Sequence, residues 1–124
     1  MPIISTSVHG YIDYVTGAFL IAAPYLFGFA TGGPAHWVAV LIGMGIIVFS
    51  ALTDYEHGIV GLIPMPAHLM LDVAGGFLLV ASPWLFGFAD QVFWPHLVVG
   101  VASVIIPIFT AREPAGRTTH VPQG

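Results

Sequence analysis

Pro24-Tyr25-Leu26-Phe27-Gly28-Phe29-Ala30 returns 59 residues later as Pro83-Trp84-Leu85-Phe86-Gly87-Phe88-Ala89, and this echo decides how the whole chain is read. Upstream, at the same offset, His9-Gly10-Tyr11-Ile12-Asp13 returns as His68-Leu69-Met70-Leu71-Asp72. After one inserted residue the register continues at 60, which matches His36 with His96 and Phe49-Ser50-Ala51 with Phe109-Thr110-Ala111. A fixed period of this length marks a structural unit used more than once. The expected unit is helix, short loop, helix, with repeat one at about 7–54 and repeat two at about 66–112.

Around these landmarks the chain is apolar. A helix crossing about 30 Å of hydrocarbon needs roughly 20 apolar residues, and residues 11–29 and 69–88 supply such runs. Residues 37–52 and 92–111 are long enough as return spans once their interfacial tryptophans are counted. The runs lack the alternation of a membrane β-strand, and lipid cannot satisfy exposed backbone groups, so helices are expected throughout. The predicted fold is therefore all-α: a four-transmembrane-helix bundle of two tandem two-helix hairpins. Two helices per unit return the chain to its starting side, so the copies are expected to share a pseudo-two-fold axis along the membrane normal.

Composition agrees with that solvent. Of the 124 residues, 57% are hydrophobic and only 6% charged, against about 25% charged in ordinary soluble domains. Length allows one membrane domain, residues 1–112, and a tail of residues 113–124 whose Pro114, Gly116, Pro122 and Gly124 interrupt any apolar period and predict disorder. The amino terminus has neither the positive stretch nor the cleavage site of a signal peptide, so the first run is expected to remain as a helix. With no cysteine, thiolate metal sites and cysteine nucleophiles are excluded. Six acids against Arg112 and Arg117 leave no basic patch for phosphates, which excludes nucleic acid as a partner. Both arginines follow the last span, which points to cytoplasmic termini.

The connection of residues 54–66 is too short and broken to span, and its apolar stretch Ile59 to Ile63 is expected at the headgroups. At each hairpin's second landmark, Pro24 and Pro83 remove a backbone donor and are expected to kink or loosen the last helical turn. There Tyr25, Phe27 and Phe29, or Trp84, Phe86 and Phe88, would meet headgroups. The tripeptide Ser82-Pro83-Trp84, echoed as Ala23-Pro24-Tyr25, resembles the signature of the SPW-repeat family of small bacterial membrane proteins, over nearly the whole chain to about Ala111. The resemblance implies the duplicated two-helix architecture, placed in a bacterial cytoplasmic (inner) membrane, and carries no biochemical activity with it.

The residues able to carry chemistry are His9, Asp13, His68 and Asp72. Four-residue spacing sets each His and Asp on one helical face, and if the first helices of the two copies face each other the four side chains converge. Three readings follow: helix-end capping and interfacial solvation, a polar cluster holding the copies together, or a site for a divalent metal, a proton or a cofactor. His36 and His96, at the opposite end beside Pro34 and Pro95, suit solvated imidazoles or, as a symmetric pair, haem ligands. Ser50, Ser82, Ser103 and Thr110 are expected to bond to their own helices. Ala18 and Ala22, Ala39 and Gly43, and Gly75 and Gly76 would let backbones approach. No nucleophile stands with an evident base, so the expected role is structural or accessory in the lipid bilayer, without catalysis. Homo-oligomers or a larger membrane complex are the natural partners. The competing expectation is ion or proton transport, or metal or haem binding, through the His-x-x-x-Asp pairs.

Overall fold

A computed structural model describes residues 3–114; of the tail expected to be disordered, residues 115–124 lie outside the described residues. Four α-helices follow in order: α1 Thr6–Leu26, α2 Pro34–Ala51, α3 Met65–Leu85 and α4 Trp94–Ile108. No strand forms among the described residues, which contain only two isolated bridges, Ile4 with Thr110 and Thr53 with Ile63. The all-helical expectation holds. By length and composition, α2 and α3 are apolar enough to cross a membrane. α1 matches α3 in length, but Thr6, Ser7, His9, Asp13 and Tyr14 make its first half polar, and α4 is an apolar helix of 15 residues.

Helix boundaries follow from local chemistry. Ser5 caps α1 by accepting the Val8 N–H, satisfying one of the donors a helix start leaves free. The other three helices carry proline in their first turn, where the missing N–H costs nothing. At the carboxyl ends of α1 and α3 the repeated Pro-x-x-x-Gly-Phe acts as a stop. Gly28 and Gly87 take left-handed φ values of 76° and 74°. The next residue's N–H then reaches back to the proline carbonyl, Phe29 to Pro24 at 2.8 Å and Phe88 to Pro83 at 2.7 Å. This is the Schellman pattern of helix termination. The first and third helices accordingly lie about a turn nearer the amino terminus than the expected runs 11–29 and 69–88. The aromatic expectation divides: Tyr25, Phe27, Trp84 and Phe86 are exposed, but Phe29 and Phe88 are buried, because the reversal at glycine turns them back onto the core.

α1 packs mainly on α2 and α3 mainly on α4, with smaller α2–α3 and α1–α4 contacts joining the two hairpins. The core between them contains Leu20, Leu79, Phe29, Phe88, Ala39 and Val99. Glycine sets the hairpin spacing. A Cβ at Gly43 would stand 2.7 Å from the Gly17 carbonyl, and one at Gly76 would stand 2.8 Å from that of Gly100. Of the small residues expected at interfaces, Ala39, Gly43 and Gly76 are buried, but Ala18 is exposed and its neighbour Gly17 makes the approach.

The sequence pairing of the second helices is corrected. Thr110 repeats the bonding of Thr53, not that of Ser50: each hydroxyl donates to the carbonyl four residues back, Thr53 to Phe49 at 2.6 Å and Thr110 to Ile106 at 2.7 Å. The backbone agrees, since Asp54 N–H donates to Ile63 and Ala111 N–H to Ile4, while Leu52 and Phe109 accept from residues 62–63 and 3–4. Gly43 and Gly100 keep the same spacing, so α2 and α4 correspond at an offset of 57. Three residues are close to one helical turn, so a slip from 60 leaves the apolar face nearly in place and hides in the hydropathy pattern.

Candidate functional site

His9 and Asp13 stand on one face of α1, and His68 and Asp72 on one face of α3. No helix has an acid in its first turn; both aspartates are the eighth residue of their helix, so dipole capping is not their role. His9 and His68 are each 1% exposed and Asp13 7%, and the Asp72 side chain keeps 11%. The four converge, and the shortest contacts cross between the helices. His9 Nε2 lies 2.7 Å from Asp72 Oδ2, and His68 Nε2 lies 2.6 Å from Asp13 Oδ2. Within each helix the corresponding contacts are longer, 3.2 Å for His9 with Asp13 and 3.3 Å for His68 with Asp72.

The other face of each imidazole is held by a residue the sequence did not single out for this task. His9 Nδ1 meets Thr110 Oγ1 at 2.9 Å, and His68 Nδ1 meets Thr53 Oγ1 at 2.7 Å. Each threonine has committed its one hydroxyl hydrogen to a helix carbonyl, so the oxygen accepts and Nδ1 donates. Both rings are therefore oriented with Nδ1 protonated and Nε2 aimed at the carboxylates. Thr110 was legible as a hydroxyl bonded to its own helix. Its second role needs the fold, because the contact with His9 spans 101 residues.

Ser50 departs from the expected self-bonding and donates to Asp13 Oδ2 at 3.2 Å, whereas Ser82 does bond to its own helix at Leu79. The connection after α2 folds over the amino-terminal end of α1. Thr6 donates to Glu56 at 2.7 Å, the His57 ring lies against Ser7, and Tyr14 donates to the His57 carbonyl. Ile59 and Leu62 remain exposed on its outer side. Tyr55 is buried with its ring 5.9 Å from His68. Burial pushes its phenol from 10.0 up to about 12, with the Ser50 hydroxyl opposing and the Asp13 charge adding.

A cavity of about 280 Å³ adjoins the cluster. His9, Asp13 and Asp72, with Thr16 and Ser103, supply its polar lining; Ile46, Leu79 and Ile106 are among the apolar lining. Gly45 and Gly75 lie on it with open space in front of them.

His36 and His96, expected as solvated imidazoles, are buried, and the chain uses them differently. His36 Nδ1 accepts the Gly32 N–H at 3.2 Å. His96 Nε2 donates to the Ala35 carbonyl at 3.0 Å, with its ring between Phe29 and Phe88 at 5.6 and 4.8 Å. The offset of 57 explains the difference, since it places Ala39 and not His36 opposite His96. Pro24 and Pro83 are fully buried at the helix ends, while Tyr25 and Trp84 project outward and Ser82 is internal.

No curated protein and no solved structure matches this chain. The family model for the SPW repeat domain matches residues 7–110. That stretch holds all four helices almost entire, the paired Pro-x-x-x-Gly-Phe stops and the His–Asp cluster, and the chain belongs to the SPW repeat family.

Proposed function

We propose that the chain is an integral membrane protein of four spans, in which two tandem hairpins related by a pseudo-two-fold axis along the membrane normal are clasped by the crossed His–Asp bonds. It serves a structural or accessory role without catalysis, alone in the bilayer, as a homo-oligomer or within a larger membrane complex. The observation that carries the reading is reciprocity. His9 to Asp72 and His68 to Asp13 are the same bond made twice, and Thr110 and Thr53 support them in the same way. Such bonds are intelligible in lipid, where a polar side chain not bonded inside the bundle faces hydrocarbon. Large exposed side chains such as Val15, Leu41, Met70, Phe77 and Val98 on all four helices support a lipid-facing outer surface. In this orientation the termini and the α2–α3 connection share the cytoplasmic side of a bacterial inner membrane, and the two hairpin loops lie opposite.

The absence of cysteine makes the topology directly testable. Single substitutions Ile59→Cys, Thr31→Cys and Asp90→Cys, treated with a membrane-impermeant maleimide, should give Thr31 and Asp90 labelling in intact cells. Ile59 should label only in inverted vesicles. Labelling of all three from one side, or recovery of a monodisperse protein without detergent, would refute the reading.

A further inference from the structure

The crossed His–Asp cluster has the ligand set, the support and the charge balance of a metal site, and we infer that it binds one divalent first-row transition-metal ion, of the zinc class, between the two hairpins. The inference goes beyond the clasp and uses it only for the placement of four side chains.

Ligand chemistry comes first. Two imidazole Nε2 atoms and two carboxylate oxygens, with no thiolate, suit a borderline divalent ion. The four donor atoms all lie within 4.8 Å of one another. An ion with bonds of roughly 2.0–2.1 Å holds tetrahedral ligands about 3.3 Å apart. The four His-to-Asp edges run from 2.6 to 3.3 Å, so the two crossed edges need to open by about 0.7 Å and the His–His and Asp–Asp edges to close by no more than about 1.5 Å.

Support comes next. Metal-bound histidines regularly donate their other ring N–H to a fixed acceptor, which sets the tautomer and aims the ligand nitrogen. Thr53 and Thr110 do this here, each locked by its own bond to a helix carbonyl. The same acceptors serve a protonated, salt-linked imidazole, and on loss of the Nε2 proton they hold the tautomer that presents Nε2 to an ion.

Charge gives a third reason. The four helices contain no lysine or arginine, so the two carboxylates, Asp13 buried and Asp72 nearly so, are balanced either by two protons shared with the imidazoles or by one divalent cation. Exchange of the two protons for the ion leaves the buried charge unchanged, whereas a monovalent ion would not replace both. Both carboxylates also line the adjoining cavity, so this side of the cluster is not filled by other side chains.

The test uses full-length protein in mild detergent, stripped with chelator and titrated with zinc chloride by calorimetry in two buffers of different ionisation enthalpy. One ion should bind per chain, with release of close to two protons. Cobalt chloride should give the intense visible absorption of a tetrahedral site. Asp13→Asn with Asp72→Asn should abolish binding, with helical circular dichroism checked for retention of the fold. Thr53→Val with Thr110→Val, which keeps all four ligands, should weaken it by roughly 10- to 100-fold. Absence of saturable binding by the wild-type protein, a weak octahedral cobalt spectrum, or undiminished binding by the Asp→Asn variant would each overturn the inference. Because the clasp is measured separately by unfolding of the stripped protein, a failed titration leaves that reading standing.

Discussion

Single residues in this chain are governed by whether the fold leaves them a partner. Tyr55 illustrates the point outside the helices. Its phenol is held near 12 mainly by burial, so the folded state favours the neutral form relative to an unfolded chain titrating near 10.0. The associated stability is complete below pH 10 and is lost as pH rises through about 12. Tyrosinate absorbance should therefore show a late phase near pH 12 that accompanies loss of helix and disappears in Tyr55→Phe. The residues of the cluster follow the same logic. His9 and Asp13 were legible as one helical face, because a spacing of four is a property of the helix. Their burial was not legible, because solvent exclusion is supplied by α3, by Thr110 and by Ser50.

At the scale of elements, the hairpins depend on how closely backbones come together. Gly17 with Gly43 and Gly76 with Gly100 leave no room for a side chain, whereas Gly45 and Gly75 face open space. Gly43→Val should destabilise the protein by about 1–3 kcal/mol through overpacking against backbone that cannot move aside. Gly45→Ala should be neutral or stabilising by up to about 1 kcal/mol, since it adds helix propensity without a clash. Thermal unfolding in detergent, followed by circular dichroism, separates the two. The helix ends were readable as Pro-x-x-x-Gly-Phe, but the inward turn of Phe29 and Phe88 was not. An aromatic at a helix end is equally at home at a membrane border or in a core, and only the reversal at Gly28 or Gly87 decides between them.

Across the whole molecule, the two hairpins are joined chiefly by α2–α3 and α1–α4 packing and by the His–Asp cluster. A double-mutant cycle on chelator-treated protein should find stronger coupling between His68 and Asp13, 2.6 Å apart on different helices, than between His9 and Asp13, 3.2 Å apart on the same one. Coupling of about 0.5–3 kcal/mol is expected for groups in one network. Equal coupling in both pairs, or none in the crossed pair, would remove the clasp.

By itself the sequence determined what depends on short range: four helices, their grouping into two hairpins, and the facing of His9 with Asp13 and of His68 with Asp72. These follow from the 3.6-residue period and from proline and glycine acting where they stand. Only the tertiary structure decided that the histidines reach across to the other helix's aspartates, that Thr53 and Thr110 orient them, and that α2 and α4 correspond at 57 and not 60. A three-residue slip costs the hydropathy pattern almost nothing, since the helix returns to nearly the same face. It does change which backbone atoms touch, and close packing of glycine against carbonyl tolerates one register alone.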